Sequence, residues 1–235
     1  MKQTIISRFL AIALMMTTGN LAANAGWTDN LSPYDLNAPL GWATVDGNVT
    51  GGEGGTKVTV TNKTELMNAL KGTDKKIIYV DGEIEFSGLT NVKSVQNKTI
   101  IGMKGAAFVN SKHSASVSET GIMQLSSCKN IILRNIIFKS AGAYDIDGND
   151  NLTIIGSTYI WVDHCDFQDG VDGNFDCVNG SDNICVTWCR FRYLIAPWAG
   201  GSGGSNDHRN CDLWGNSDKR SGDEGHLRTT FANCW

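Results

Sequence analysis

"NLTIIGSTYIWVDHCDF", residues 151–167, carries the decision between fold classes. Apolar and β-branched residues alternate with polar ones on either side of a small turn at Gly156 and Ser157, the period of a strand rather than a helix. The same grammar begins at Asn97, Asn130, Asn151 and Asn183: an Asn, an apolar or β-branched pair, a small turn, then another alternating run. The steps between these positions are unequal, roughly twenty to thirty residues, as in a coil with variable loops on one face. Residues 75–86 and 226–235 add further strand patterns. No helical pattern intervenes between the runs, which favours an all-β coil of stacked parallel strands, a parallel β-helix, over a βαβ sheet. A β-sandwich is the rival, but it calls for hairpin turns at regular spacing, and tight Asn-Gly or Asp-Gly connections are not the rule here.

Outward from that stretch, one helix stands out. After a short alternating strand, residues 64–70 place Leu66, Met67 and Leu70 on one face, with Glu65 in the first turn and Gly72 closing the end. Such a helix would cap the open end of the coil, where bare strand edges invite aggregation. The segment before it is irregular and ends in "GNVTGGEGGT" (residues 47–56), which reads as a flexible glycine run.

The first 25 residues read as a signal peptide. Lys2 and Arg8 precede the apolar run "FLAIALMM", too short to span a bilayer, and Ala23-Asn24-Ala25 offers the small residues of a cleavage site. The remainder, residues 26–235, has the length of one domain and is expected in an exported, soluble form, periplasmic or extracellular. Without Lys2 and Arg8 it carries 18 basic against 24 acidic residues, a net charge of −6. So acidic a chain is a poor non-specific partner for nucleic acid or an anionic membrane. To hold a polyanion it needs local positive charge, and a bound divalent cation is one source. The seven cysteines match no zinc spacing; most read as inward strand residues, with room for one bridge at most.

Two groups of residues can carry chemistry. In "IWVDHCDF" strict alternation puts Ile160, Val162, His164 and Asp166 on one face and Trp161, Asp163, Cys165 and Phe167 on the other. The second set is the more apolar and is expected to face the interior. On that alternation Asp163 and His164 point apart and form no relay, and no nucleophile elbow occurs in the chain. Asp150, Asp172 and Asp176 differ. Stacked units would bring Asp150 and Asp172 together from adjacent turns, and converging carboxylates are costly unless a cation binds them; hard oxygen ligands select calcium. The competing reading is that these residues only make turns.

The strings "NDNLTIIGSTYIWVDHCDFQDG" (149–170), "DGNFDCVNGSDNICVTWCRF" (172–191), "LWGNSD" (213–218) and "GHLRTTFANCW" (225–235) resemble the pectate lyase family. The resemblance runs from about Thr56 onward and implies a single-stranded right-handed parallel β-helix with an N-terminal capping helix. It also implies a calcium-dependent β-elimination on pectate (polygalacturonate) by a monomer, with Asp150, Asp172 and Asp176 as the metal ligands. The family's base is an arginine in a segment after the "TF..N" strand, which would fall beyond Trp235. The chain is therefore expected to be incomplete at its C-terminus and weakly active alone, and Arg228, which belongs to the preceding strand, is not that base. Where the family carries a substrate-binding lysine, this sequence has "APWAGGSGGSNDHRN" (196–210), and Arg209 is the candidate in its place. A non-catalytic uronate-polymer-binding or degenerate protein of the same fold is the alternative. A glycoside hydrolase would instead need paired carboxylates flanking a bond.

Overall fold

A computed structural model describes residues 38–144, 148–196 and 228–235. The signal-peptide reading and Arg209 lie outside the described residues. The chain winds through three parallel sheets in turn. After β1 (Thr56–Val60) and helix α1 (Lys63–Leu70), the first full coil is β2 (Lys76–Val80), β3 (Glu83–Glu85) and β4 (Thr90–Lys93). The second is β5 (Gln96–Gly102), β6 (Ala107–Val109) and β7 (Met123–Ser126). The third is β8 (Lys129–Arg134), β9 (Ile137–Lys139) and β10 (Leu152–Ile155). The fourth is β11 (Thr158–Asp163), β12 (Asp166–Gln168) and β13 (Phe175–Val178). Then come β14 (Asp182–Thr187), β15 (Arg190–Arg192) and β16 (Thr229–Ala232).

Each strand pairs in parallel with its counterparts one coil away. The sheets run β1-β2-β5-β8-β11-β14-β16, β3-β6-β9-β12-β15 and β4-β7-β10-β13, so the expected parallel β-helix is the fold. Coils about 4.8 Å apart place like on like. Ile84, Phe108, Phe138, Phe167 and Phe191 share one register column inside, and successive ring centroids from Phe108 to Phe191 stand 5.4, 4.8 and 5.0 Å apart. Helix α1 is capped by Asn62, whose side chain accepts from the Glu65 amide at 3.0 Å, while the Glu65 carboxylate accepts from the Thr61 amide at 2.9 Å. It buries Leu66, Ala69 and Leu70 against the coil end, with Met67 partly covered.

The corners need residues with positive φ, which favours Asn. Asn97, Asn130 and Asn183 hold φ of 54°, 58° and 55° at the start of β5, β8 and β14. Asn130 Nδ2 donates to Asn97 Oδ1 at 2.7 Å, the lateral link of a stacked amide ladder. Asn151 does not belong to that ladder. It lies at the entry of β10, in another sheet, and Tyr159 (φ 56°) fills the corresponding corner of β11.

The glycine run before β1 is also not as its composition suggests. Residues 41–52 cross the outer face of the large sheet, burying Ala43 and Val49 against Ile132, Trp161 and Cys185. The Gly51 amide donates to Asn130 Oδ1 at 2.8 Å and the Gly52 amide to Thr99 Oγ1 at 2.9 Å. A Cβ on Gly52 would come within 1.9 Å of the Lys76 carbonyl oxygen, so glycine there permits close approach rather than freedom. Six cysteines, Cys128, Cys165, Cys177, Cys185, Cys189 and Cys234, are free thiols, and five are buried as small hydrophobes. No bridge occurs among the described residues.

Candidate functional site

The "WVDH" segment departs from strict alternation. His164 adopts φ 51°, which resets the phase of the side chains. Ile160 and Val162 face the core, as do Cys165 and Phe167 beyond the kink, while Trp161 packs outside the large sheet beneath the N-terminal arm. The expectation that Trp161 and Asp163 share the interior face with Cys165 and Phe167 is therefore wrong. So is the expectation that Asp163 and His164 point apart. His164 Nδ1 lies 2.7 Å from Asp163 Oδ2, because the left-handed residue swings the imidazole back onto its neighbour.

Asp163 is fully buried and surrounded by partners. Arg134 Nε stands 2.9 Å from Oδ2, and Thr187 Oγ1 donates to Oδ1 at 2.7 Å while accepting from Trp161 Nε1 at 2.8 Å. Arg134 also lies over the Trp161 ring, 5.6 Å from its centroid. A carboxylate satisfied from three sides and sealed from solvent fastens coils 3, 4 and 5 together.

The other acidic group is built differently. Asp150 precedes β10; Asp172 and Asp176 belong to the next coil, in the turn before β13 and on β13 itself. The Asn151 amide donates to the Gly173 carbonyl and the Leu152 amide to the Asn174 carbonyl, both at 3.3 Å, so the segment from Asp150 lies directly under residues 173–176. Thr153 sits in register with Asp176, and its hydroxyl reaches Asp150 Oδ2 at 3.4 Å. Burial pushes the Asp150 carboxyl well above the ordinary carboxylate range, and the charges of Asp176 and Asp172 push it further. Thr153 and the Gly173 amide offset this in part. The three predicted residues are thus brought within one another's field. Among the described residues, no three His, Cys, Asp or Glu side chains already stand close enough to hold a metal ion. As a donor set, three carboxylates and a hydroxyl suit a hard divalent cation.

Sequence reasoning missed Thr153, which reads only as one more β-branched strand residue. It also missed the polar column that Thr153 and Asp176 extend, in register with Gln124 and Asn91 on β7 and β4. The period-2 pattern marks these as outward positions, and that was the signal available. Arg228 is not at this site. It donates to Asp182 Oδ1 and Oδ2 at 2.9 and 2.7 Å and to Asp46 Oδ2 at 2.8 Å, on the outer face of the large sheet.

Known proteins share both sequence and shape with this chain. A family model described as pectate lyase matches residues 13–196. A probable pectate lyase B of Aspergillus terreus is 32% identical over 204 residues, covering 83% of this chain and 54% of that protein. A pectate trisaccharide-lyase of Thermotoga maritima is 31% identical over 217 residues, with 83% and 52% covered. The chain spans about half the length of the curated relatives it matches. Among solved structures, a pectate lyase bound to a hexasaccharide superposes with a TM-score of 0.60 at 22% identity, over 85% of this chain and 66% of that one. The major cedar-pollen allergen does so with a TM-score of 0.53 at 19% identity, over 72% and 55%. With the coil, the "WVDHC" strand and the matched span in agreement, the chain belongs to the pectate lyase family.

Proposed function

We propose that this chain forms the calcium-binding, substrate-gripping body of an exported pectate lyase, which cleaves polygalacturonate by β-elimination. The observation that carries the reading is the convergence of Asp150, Asp172 and Asp176 from two stacked coils, in a family whose curated members include pectate lyases. Asp150, Asp172 and Asp176 supply the ligands. Thr153 orients Asp150 by its hydroxyl. The column Asn91, Gln124, Thr153 and Asp176 offers amide and hydroxyl groups along which a sugar chain can lie. A bound Ca²⁺ supplies the charge that neutralises a uronate carboxylate and so lowers the cost of carbanion character at C5. It also explains how an acidic protein holds a polyanion.

Arg209 is proposed as a substrate contact. Arg228, committed to Asp182 and Asp46, does not serve as base. The protein acts as a monomer outside the cytoplasm, after export directed by residues 1–25, with no nucleic-acid or membrane partner. Among the described residues, no helix is long and apolar enough to cross a membrane. The test is polygalacturonate with added Ca²⁺, followed by absorbance of the unsaturated product, in this chain and in a form extended past Trp235. Product formation lost to a chelator and to Asp176→Ala supports a lyase. Absence of product from both forms, with uronate binding retained, leaves only the binding reading.

A further inference from the structure

Beneath the carboxylates lies a pair of buried amides that the reading above does not use. Asn151 follows Asp150, and Asn174 lies midway between Asp172 and Asp176; both are 0% exposed. Asn151 Nδ2 donates to Asn174 Oδ1 at 2.9 Å and to the Gln168 carbonyl at 2.8 Å, and Asn151 Oδ1 accepts from Ser140 Oγ at 2.6 Å. Asn174 Oδ1 also accepts from the Gly170 amide at 3.1 Å, and its Nδ2 reaches the Arg192 carbonyl at 3.5 Å. The two side chains therefore join the end of β9, the end of β12, the Gly170 turn and β15 directly under the acidic residues. The turn itself is closed tightly, since a Cβ on Gly170 would fall 1.9 Å from the Gly173 carbonyl oxygen.

We infer that Asn151 and Asn174 are positioning residues for the proposed calcium site, a deduction that rests on the reading of Asp150, Asp172 and Asp176 as its ligands. The physical reason is the spacing of the two segments that carry the acids: the backbone bonds joining them at the site are long, at 3.3 Å. The amide pair adds a short, directional link at the residue next to Asp150 and between Asp172 and Asp176. It fixes the spacing of the ligands before the cation arrives, so less of the binding free energy goes into ordering them.

The experiment is calcium titration of the full chain by calorimetry, paired with melting in chelator. Asn174→Ala and Asn151→Ala should each weaken calcium binding about tenfold to a hundredfold. The double variant should bind no more weakly than the worse single one, as expected of two residues acting as one link. Phe175→Leu, a buried change beside Asn174, should lower the melting temperature and leave calcium affinity alone, which separates positioning from general loss of stability. If Asn174→Ala does not fold, Asn151→Ser carries the same expectation in milder form. Calcium affinity unchanged in the asparagine variants overturns the inference while the site stands. No calcium binding by the wild type overturns the site itself.

Discussion

Asp163, fully buried, and Asp150, half-buried, are acidic residues of the same β-helix, yet their surroundings are opposites. Asp163 has Arg134, His164 and Thr187 within 2.9 Å, and its charge is met inside the fold. Asp150 faces two further acids, and its carboxyl is driven upward by burial and by those charges. A buried charge whose partners are all supplied by the chain holds structure together. A cluster of like charges costs stability and is retained where something outside the chain completes it. The family signature thus marks architecture, and the proposed calcium site lies on the adjoining coil edge.

The contrast can be broken by substitution. Asp163→Ala leaves Arg134 and His164 without their shared carboxylate in a sealed site, so a loss of about 3–5 kcal/mol is expected. That corresponds to a fall in Tm on the order of 10 °C, or to failure to fold, in calorimetry. Calcium affinity of whatever folds should not change; a selective loss of calcium binding would move Asp163 into the functional class. Asp176→Ala should do the reverse, weakening calcium binding by about tenfold or more, roughly 1.4 kcal/mol, with little change of Tm in chelator.

A smaller effect has the opposite sign. Asp150→Asn removes one repelling charge, so in chelator the variant should melt roughly 2–4 °C above wild type while binding calcium more weakly. A lower Tm without calcium would mean that Asp150 is compensated like Asp163. The smallest effect concerns the exposed clasp on the large sheet. Hydrogen bonds from Arg228 hold the Asp182 carboxyl below its usual range, so this contact stabilises the fold at neutral pH and loses that contribution as acid protonates Asp182. Asp182→Asn should cost no more than about 1 kcal/mol at pH 7. The gap from wild type should close below about pH 4, measured as Tm against pH. A gap that widens in acid contradicts the assignment.

Much of this was legible from residues alone. The alternating runs named their strands, Glu65 marked the first turn of the helix, and Asp150, Asp172 and Asp176 stood out as acids that the fold brings within one another's field. The faces of the signature strand were not legible, because a period of two holds only while φ stays negative. One left-handed residue, His164, turns the pattern over. Nor did Asn151 differ in appearance from Asn97 and Asn130, although it belongs to another sheet and to an inward amide pair.

Local spacing and residue type by themselves determined the class of fold, the capping helix and the identity of the gathered acids, since these depend on side-chain period and charge along the chain. Only the tertiary structure decided which carboxylate meets cations and which meets further acids. That depends on neighbours one coil away: Arg134 and Thr187 beside Asp163, and Asp176 beside Asp150. Stacking at about 4.8 Å makes residues separated by more than twenty positions into direct neighbours, and no period within the chain encodes which of them will meet.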